Sequence, residues 1–223
     1  MTSTAIVIPW RSGTAERNRH HQTVRDQLRG LFPDATHLDV DSGHTRFSRA
    51  ASRNRGVALA DQAGAEVVVL CDADTLVEEE ALRAAVSAAR RDDRLHLPYT
   101  WKRYLSPRGT RECLDGVPFS ECHAESETEG KASAMAIRPT AWFAAGGMDE
   151  RFTGWGFEDE AFRISTGVIL GPAIRHKGVV VHLWHPKEKG FDSPDYLTGQ
   201  LLIRRYRAAR TPDQIRALLS RDF

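Results

Sequence analysis

Two aspartates, Asp72 and Asp74, directly follow a short run of β-branched and aliphatic residues, Val67 to Leu70. Such a run is typical of a strand buried on both faces of a parallel sheet. Ligands of open α/β sheets bind at the carboxyl ends of the strands, and residues two apart in extended backbone point to the same side. Both carboxylates can therefore face one crevice, where their oxygens would bind a hard cation such as Mg²⁺ or Mn²⁺ together with substrate phosphates.

A structural role is the alternative for this pair. Thr75 and Glu78 have the spacing of a capping box at the start of a helix predicted from Leu76 to Arg91. Asp-x-Asp alone is a short motif, so the two aspartates are also consistent with simple capping of that helix.

The second stretch that could do chemistry is Gly154 to Asp159, Gly-Trp-Gly-Phe-Glu-Asp. The glycines beside Trp155 let the backbone approach a ligand closely, and the indole ring can stack on the apolar face of a sugar. Glu158 and Asp159 lie at the start of a predicted helix, Phe157 to Ser165, where carboxylates are favoured. The structural alternative is a capped surface helix beside a buried Trp.

These stretches resemble one family when they are taken together. Gly154 to Asp159 is similar to the Trp-Gly-x-Glu-Asp motif of the β-1,4-galactosyltransferases and related GT-A glycosyltransferases, a group that includes enzymes like the polypeptide N-acetylgalactosaminyltransferases. Four further stretches match this family in the same order: Ile8-Pro9-Trp10-Arg11 (Ile-Pro-Phe-Arg), Phe47-Ser48-Arg49-Ala50 (Phe-Asn-Arg-Ala), Asp72-Ala73-Asp74 (Asp-x-Asp) and His182-Leu183-Trp184-His185 (Met-x-x-His). Five ordered matches are a much stronger signal than any one of them.

The resemblance implies a binding site for a UDP-sugar donor. Arg11 and Arg49 would meet the diphosphate or its flanks, Phe47 would pack near the uracil, and Asp39 or Asp41 would contact the base or ribose. The residues implied to contact the nucleotide or the sugar are Pro9, Trp10, Arg11, Asp39, Asp41, Phe47, Arg49, Asp72, Trp155 and Gly156.

A divalent metal, Mn²⁺ or Mg²⁺, is the implied cofactor. Asp74 would bind it directly, joined by His185 and His182, and Asp72 would lie near the ribose and the metal. His182 stands where the family has Met, and imidazole is a harder ligand than a thioether, which favours tolerance of Mg²⁺. In a straight strand, His182 and His185 point to opposite faces, so both can bind one ion only if the backbone turns before Pro186.

The resemblance also assigns the catalytic residues. Trp155 would line the sugar and acceptor site, Glu158 would bind hydroxyls, and Asp159 would be the general base. A base on the face opposite the leaving diphosphate predicts inversion at the anomeric carbon. Phe157 stands where the galactosyltransferases have Gly, so the donor, a hexose or an N-acetylhexosamine, stays open. The acceptor would be a glycan, a protein or another hydroxyl compound.

Two other functions are open from the sequence. A nucleotidyltransferase also pairs a Rossmann-like sheet with acidic metal ligands, but it would carry a Gly-rich phosphate loop after the first strand, where Trp10 to Gly13 holds a single Gly. A non-catalytic nucleotide-sugar-binding protein needs no candidate base. UDP release from UDP-sugars with Mn²⁺ separates the three hypotheses.

The predicted elements alternate strand and helix in the first half of the chain. They predict an α/β fold of the GT-A type, with a mixed, mostly parallel, Rossmann-like sheet flanked by helices. One catalytic domain is expected over 1–195, with a nucleotide-binding half (1–100) and an acceptor and sugar half (101–195), followed by a helical segment (196–223). The polar stretch 101–131 has no clear periodicity and is interpreted as a loop that shapes the acceptor site.

The composition of the chain limits its class. The 223 residues are 41% hydrophobic and 27% charged with a net charge of +1, which is ordinary for a soluble globular protein and gives no general attraction to nucleic acid, although a local basic face stays open. No apolar run reaches the length of a membrane span and no signal-peptide pattern is present, so the expected location is cytoplasmic. The spacing of the three cysteines favours free thiols.

Overall fold

The computed structural model describes residues 3–129, 132–153, 156–186 and 193–220. Its strands are β1 (Thr4–Pro9), β2 (Thr36–Val40), β3 (Val67–Cys71), β4 (Thr75–Val77), β5 (His96–Leu97), β6 (Trp101–Leu105), β7 (Ala124–Glu129), β8 (Ala134–Ile137), β9 (Ile174–Arg175) and β10 (Val179–His182). Its helices are α1 (Ala15–Leu31), α2 (Arg49–Gln62), α3 (Glu79–Ala89), α4 (Pro107–Leu114), α5 (Pro139–Ala144), α6 (Glu158–Ile169), α7 (Pro194–Ala208) and α8 (Pro212–Leu219).

The larger sheet has the strand order β2-β1-β3-β8-β5-β9. The pairings of β1 with β2 and β3 and of β5 with β9 are parallel, whereas β8 runs antiparallel to both β3 and β5. Every residue of β1 and β3 is buried, as the apolar runs in the sequence predict for strands covered on both faces. The predicted mixed α/β architecture is thereby confirmed.

The smaller sheet, with the order β4-β10-β6-β7, corrects two predictions. Thr75–Val77 is strand β4, paired antiparallel with β10, so the predicted helix starts later, at Glu79. The predicted capping box of Thr75 and Glu78 is wrong, since Glu78 is the N-cap and caps with no side-chain hydrogen bond. Pairing with a strand about a hundred residues away overrides the local helix signal, and local sequence cannot show such pairing.

The stretch 101–131, interpreted from the sequence as a loop, is largely regular in its described residues. It contains β6, the helix α4 and β7, and β6 is the central link between β10 and β7. The Ser106 hydroxyl accepts from the Gly109 amide and Pro107 occupies the first turn, which is how α4 begins. Lys102 on β6 is only 5% exposed, so this segment is not a solvated loop.

The C-terminal helices α7 and α8 pack on α6. They share a second apolar cluster that includes Phe152, Ala161, Ile203, Tyr206 and Ile215. The chain breaks between these two helices, where Thr211 forms a complete capping box with Gln214 and Pro212 occupies the first turn of α8. The three cysteines are free and buried. In the part of the chain that the structure describes, no helix combines the length and the apolar character that a bilayer crossing needs.

Candidate active site

Asp74, His182 and His185 converge at one point beside the carboxyl end of β3. The Nε2 atom of His182 lies 3.5 Å from Asp74 Oδ1, and Nε2 of His185 lies 3.3 Å from Asp74 Oδ2. One ligand atom from each of the three residues falls within 4.8 Å of the others. The three residues predicted to bind a metal are therefore brought together.

The backbone after β10 explains how both histidines reach the same carboxylate. The strand ends at His182. The Leu183 amide then donates to the Asp74 carbonyl at 2.8 Å, and the Trp184 amide donates to the Thr110 hydroxyl at 2.8 Å. These bonds turn the chain out of the strand, so the opposite-face rule for strand residues no longer separates His182 from His185.

The electrostatics of this cluster suit a cation. Burial would raise the pKa of Asp74, but the charge of His182, the hydrogen bond from His185 and the nearby Lys102 together hold that pKa well below its usual range. Burial lowers the pKa of His182, and the hydrogen bond to Asp74 raises that of His185. One carboxylate and two imidazoles within a common radius fit a divalent ion that accepts both oxygen and nitrogen ligands.

Arg53, which the sequence analysis did not select, links Asp72 to Asp159. Its Nη2 lies 2.5 Å from Asp72 Oδ1, and its Nη1 donates to Asp159 Oδ1. The Arg53 side chain is 1% exposed, whereas those of Asp72 and Asp159 are 14% and 24% exposed. Asp72 and Asp74 thus have separate partners, because the turn after β3 directs one carboxylate to Arg53 and the other to the histidines.

Arg49 lies one helical turn before Arg53 and forms a second ion pair with α6, to Glu158. Its Nη2 is 2.6 Å from Oε1 of Glu158, whose side chain is 5% exposed. The charge of Glu158 is the largest cause of the raised pKa of Arg49. Two arginines of α2 therefore meet two adjacent carboxylates in the first turn of α6.

Asp159 has the environment of a general base. Its burial raises the pKa to about 6, and the charges of Glu158 and Asp72 act in the same direction, while Arg53 and Arg49 oppose them. A carboxylate with this pKa is mostly ionised near neutral pH and is more basic than an ordinary aspartate.

The loop after β1 forms a compact network. Arg11 forms a bidentate ion pair with Asp41, in which Nε and Nη2 donate to the two carboxylate oxygens at 2.7 and 2.6 Å. Its guanidinium lies 5.6 Å from the centre of the Phe47 ring. Trp10, directly after Pro9, stacks on His21 with ring centres 4.1 Å apart. His21 in turn lies 3.0 Å from Asp39, which also faces Arg25. Arg11, Asp41 and Phe47 are thus adjacent, and Asp39 belongs to the neighbouring Trp10 group.

The Gly154 to Asp159 motif is described from Gly156 onward, and the predicted sugar platform Trp155 lies outside the described residues. Gly156 has φ +94°, and Phe157, at φ +75°, is the non-glycine residue with positive φ in the described backbone. The Phe157 ring packs 5.0 Å from that of Tyr196 on α7. Phe157, directly before Glu158 and Asp159, therefore packs against α7.

Lys102 is a second residue that the sequence analysis did not place. Its ammonium donates to the Ser133 hydroxyl at 2.5 Å and lies 4.5 Å from the Tyr104 ring, beside His182. The signal for Arg53 was present, since it follows Arg49 at the i,i+4 spacing of one helix face. No comparable signal existed for Lys102, because its strand was not recognised.

Comparisons with known proteins identify the fold. No protein-family model and no curated protein sequence matches the chain. Its fold is similar to that of a Drosophila β1,4-galactosyltransferase 7 variant solved with manganese, UDP-Gal and xylobiose, at 15% identity and a TM-score of 0.55 over 86% of this chain and 78% of that one. It is similar to GalNAc-T7 solved with UDP, GalNAc and Mn²⁺, at 11% identity and a TM-score of 0.55 over 92% of this chain and 50% of that one. It is also similar to the 1–349 fragment of S. aureus TarS, at 13% identity and a TM-score of 0.52 over 98% of this chain and 69% of that one. The chain therefore has the GT-A glycosyltransferase fold.

Proposed function

We propose that the protein is an inverting, metal-dependent glycosyltransferase that moves a hexose or N-acetylhexosamine from a UDP-sugar to an acceptor hydroxyl. The observation that carries this proposal is the pairing of two features at one edge of the fold. One is the Asp74, His182 and His185 cluster, and the other is the Asp159 carboxylate, whose pKa is raised to about 6.

Asp74, His182 and His185 are the residues that would hold the divalent ion. When bound, such an ion supplies Lewis-acid stabilisation of the leaving diphosphate. In the similar structures of β1,4-galactosyltransferase 7 and GalNAc-T7, manganese accompanies a UDP-sugar or UDP. These ligands support the choice of a UDP-sugar donor and of Mn²⁺ here.

Three further residues would bind the donor. Arg11, in the loop after β1, lies beside Phe47, in the segment between β2 and α2, and Arg49 lies at the start of α2 with a partly exposed side chain. Their cationic and aromatic groups suit a diphosphate and a uracil ring. In the free protein Arg49 is paired with Glu158, so a bound diphosphate would draw Arg49 from that carboxylate and leave Glu158 to the sugar hydroxyls.

Asp159 would remove the acceptor proton. It lies beside Glu158 on α6, at the carboxyl edge of the sheet. Its side chain is 24% exposed, so an acceptor hydroxyl can reach it. A carboxylate base that acts on the attacking hydroxyl gives direct displacement, and direct displacement inverts the anomeric carbon.

A donor screen tests the proposal. Purified protein with Mn²⁺ is incubated with a panel of UDP-sugars, and released UDP and the free or transferred sugar are detected by mass spectrometry. UDP release in the presence of Mn²⁺ and its loss with a chelator are expected. Absence of UDP release with every donor and every acceptor class would contradict the proposal.

The variant Asp159→Asn separates an enzyme from a binding protein. The amide keeps the shape but cannot accept a proton, so transfer is expected to fall by about 10²–10⁴ while UDP affinity stays nearly constant. Glu158→Gln is the matched control, because it should weaken sugar binding as well as turnover. Transfer within about threefold of wild type in Asp159→Asn would place the base elsewhere.

A further inference from the structure

Arg53 is a buried cation whose two partners belong to different parts of the proposed site. Its guanidinium joins Asp72, in the turn after β3, to Asp159, in the first turn of α6. Asp72 stands two residues before Asp74 on the donor side, and Asp159 is the proposed base. A single side chain therefore connects the donor side to the acceptor side.

The surroundings of Arg53 hold it in one place. Its Nη1 also lies 3.5 Å from the sulfur of Met148. The adjacent Asn54 exchanges two hydrogen bonds with the Met148 backbone, each at 2.8 Å, which ties α2 to the segment before α6. Among the described residues, the Arg53 Nε–H is buried without a hydrogen-bond partner.

This arrangement is costly for stability alone. A buried charge carries a large desolvation penalty, and a well-packed apolar side chain is often as stable in its place. A planar guanidinium instead offers a rigid fork of donors that fixes the directions of two carboxylates, whereas an ammonium group is a compact charge without that fork. The geometry thus favours a role in arranging Asp72 and Asp159 over a role in packing.

We propose that Arg53 is a positioning residue that couples occupation of the donor site to the general base. The proposal rests on the function proposed above. When a donor engages Asp72, that carboxylate competes less for the guanidinium, and Arg53 is left to orient Asp159 and to keep it ionised for the acceptor proton. The donor would thereby prepare the base before an acceptor arrives.

The charges around Asp159 give the direction of the expected changes. Removing the positive charge of Arg53 leaves the base among negative neighbours and raises its pKa, whereas removing the negative charge of Asp72 lowers it. The charged and titratable groups that face Asp159 from the packed elements are Arg49 and Arg53 on α2, Asp72 after β3, Tyr99 before β6 and Glu158 on α6. An Arg53 that supported the fold only by packing, without its charge acting on Asp159, would leave the titration of Asp159 unchanged.

The test measures the pKa of Asp159 directly, by carboxyl-carbon NMR over a pH series, with Asp159→Asn to identify its signal. The pKa is expected to rise by about one pH unit or more in Arg53→Met and to fall in Asp72→Asn. The control is Arg91→Met, at an exposed arginine two residues after the end of α3, and it should leave the Asp159 titration unchanged. Circular dichroism establishes that each variant is folded. If Arg53→Met does not fold, Asp72→Asn carries the titration test and Arg53→Lys carries the kinetic test.

Kinetics with the donor found in the screen provide the second readout. In the pH profile of kcat/KM, the acid limb should move to higher pH in Arg53→Met, because the pKa of the base is raised. In Arg53→Lys the limb should return toward wild type while kcat at the plateau stays about tenfold reduced, because the ammonium restores charge but not the fork. An unmoved Asp159 titration in Asp72→Asn, and in Arg53→Met where that variant folds, would overturn the inference, even with an active enzyme. A shifted titration in a protein that turns over no UDP-sugar would instead overturn the proposed function.

Discussion

At the scale of single residues, a substitution of Asp74 is the most direct test of the proposed metal site. It is the carboxylate that both His182 and His185 approach, at 3.5 and 3.3 Å. Asp74→Ala should therefore abolish the Mn²⁺ dependence of UDP binding, while His182→Ala or His185→Ala should weaken it by a smaller step. Calorimetric titration of UDP with and without Mn²⁺ measures this, and an unchanged affinity in Asp74→Ala would remove the metal site.

Arg49 allows a second residue-scale prediction, because its partner in the free protein is known. Charge-assisted hydrogen bonds to a diphosphate contribute on the order of 1.5–3 kcal/mol each, so Arg49→Ala should raise the UDP dissociation constant about tenfold or more. The matched control is Glu158→Gln, which removes the competing charge and keeps Arg49. UDP affinity should be maintained or improved in that control, and equal losses in both variants would show that the ion pair itself, not the arginine, matters.

At the scale of elements, the sequence predicted what local patterns determine. The buried runs of β1 and β3 and the capping of α8 at Thr211 are encoded within a few residues. The smaller sheet was missed because β4, β6 and β10 are joined by pairings between distant segments. A three-residue strand such as β4 has too little pattern to outweigh an adjacent helix signal.

The same division applies to the candidate site. The residues of the five motifs could be selected from the sequence, but their partners could not. That Arg49 faces Glu158, that Arg53 bridges Asp72 and Asp159, and that Lys102 is buried all follow from packing between elements far apart in the chain. Pairing across such separations leaves no local signal in a single sequence.

The start of α6 makes an element-scale prediction about backbone strain. Phe157 has φ +75°, a conformation that costs a residue other than glycine about 1–2 kcal/mol. Phe157→Gly and Phe157→Ala both lose the ring, but only glycine relieves the strain, so Phe157→Gly should be the more stable of the two by about 1 kcal/mol in denaturant unfolding. At Phe143, an exposed residue of α5 with helical backbone, glycine should be the less stable of the same two substitutions, because glycine has a lower helix propensity than alanine.

At the scale of the whole molecule, the site depends on how the C-terminal helices are attached to α6 and its preceding loop. The attachment combines an apolar cluster with one buried polar contact, in which the Tyr206 hydroxyl on α7 donates to Asp149 at 2.7 Å. Asp149 also holds Arg151, which reaches the Leu218 carbonyl near the end of α8. Helices α7 and α8 are thus tied to the segment that precedes the Glu158 and Asp159 pair.

Tyr206→Phe tests this dependence with a minimal change. It removes one hydroxyl, leaves the apolar cluster intact and deprives a buried carboxylate of a donor, so the free energy of unfolding should fall by about 1–3 kcal/mol. Tyr104→Phe is the control, because the described residues give its hydroxyl no protein hydrogen bond, and it should change stability little. Since Asp74, His182 and His185 lie on other elements, Mn²⁺-dependent UDP affinity should persist in Tyr206→Phe while turnover falls. Chemical denaturation and UDP titration on the same sample measure both quantities. A parallel loss of UDP affinity would mean that the C-terminal helices support the donor side of the site as well.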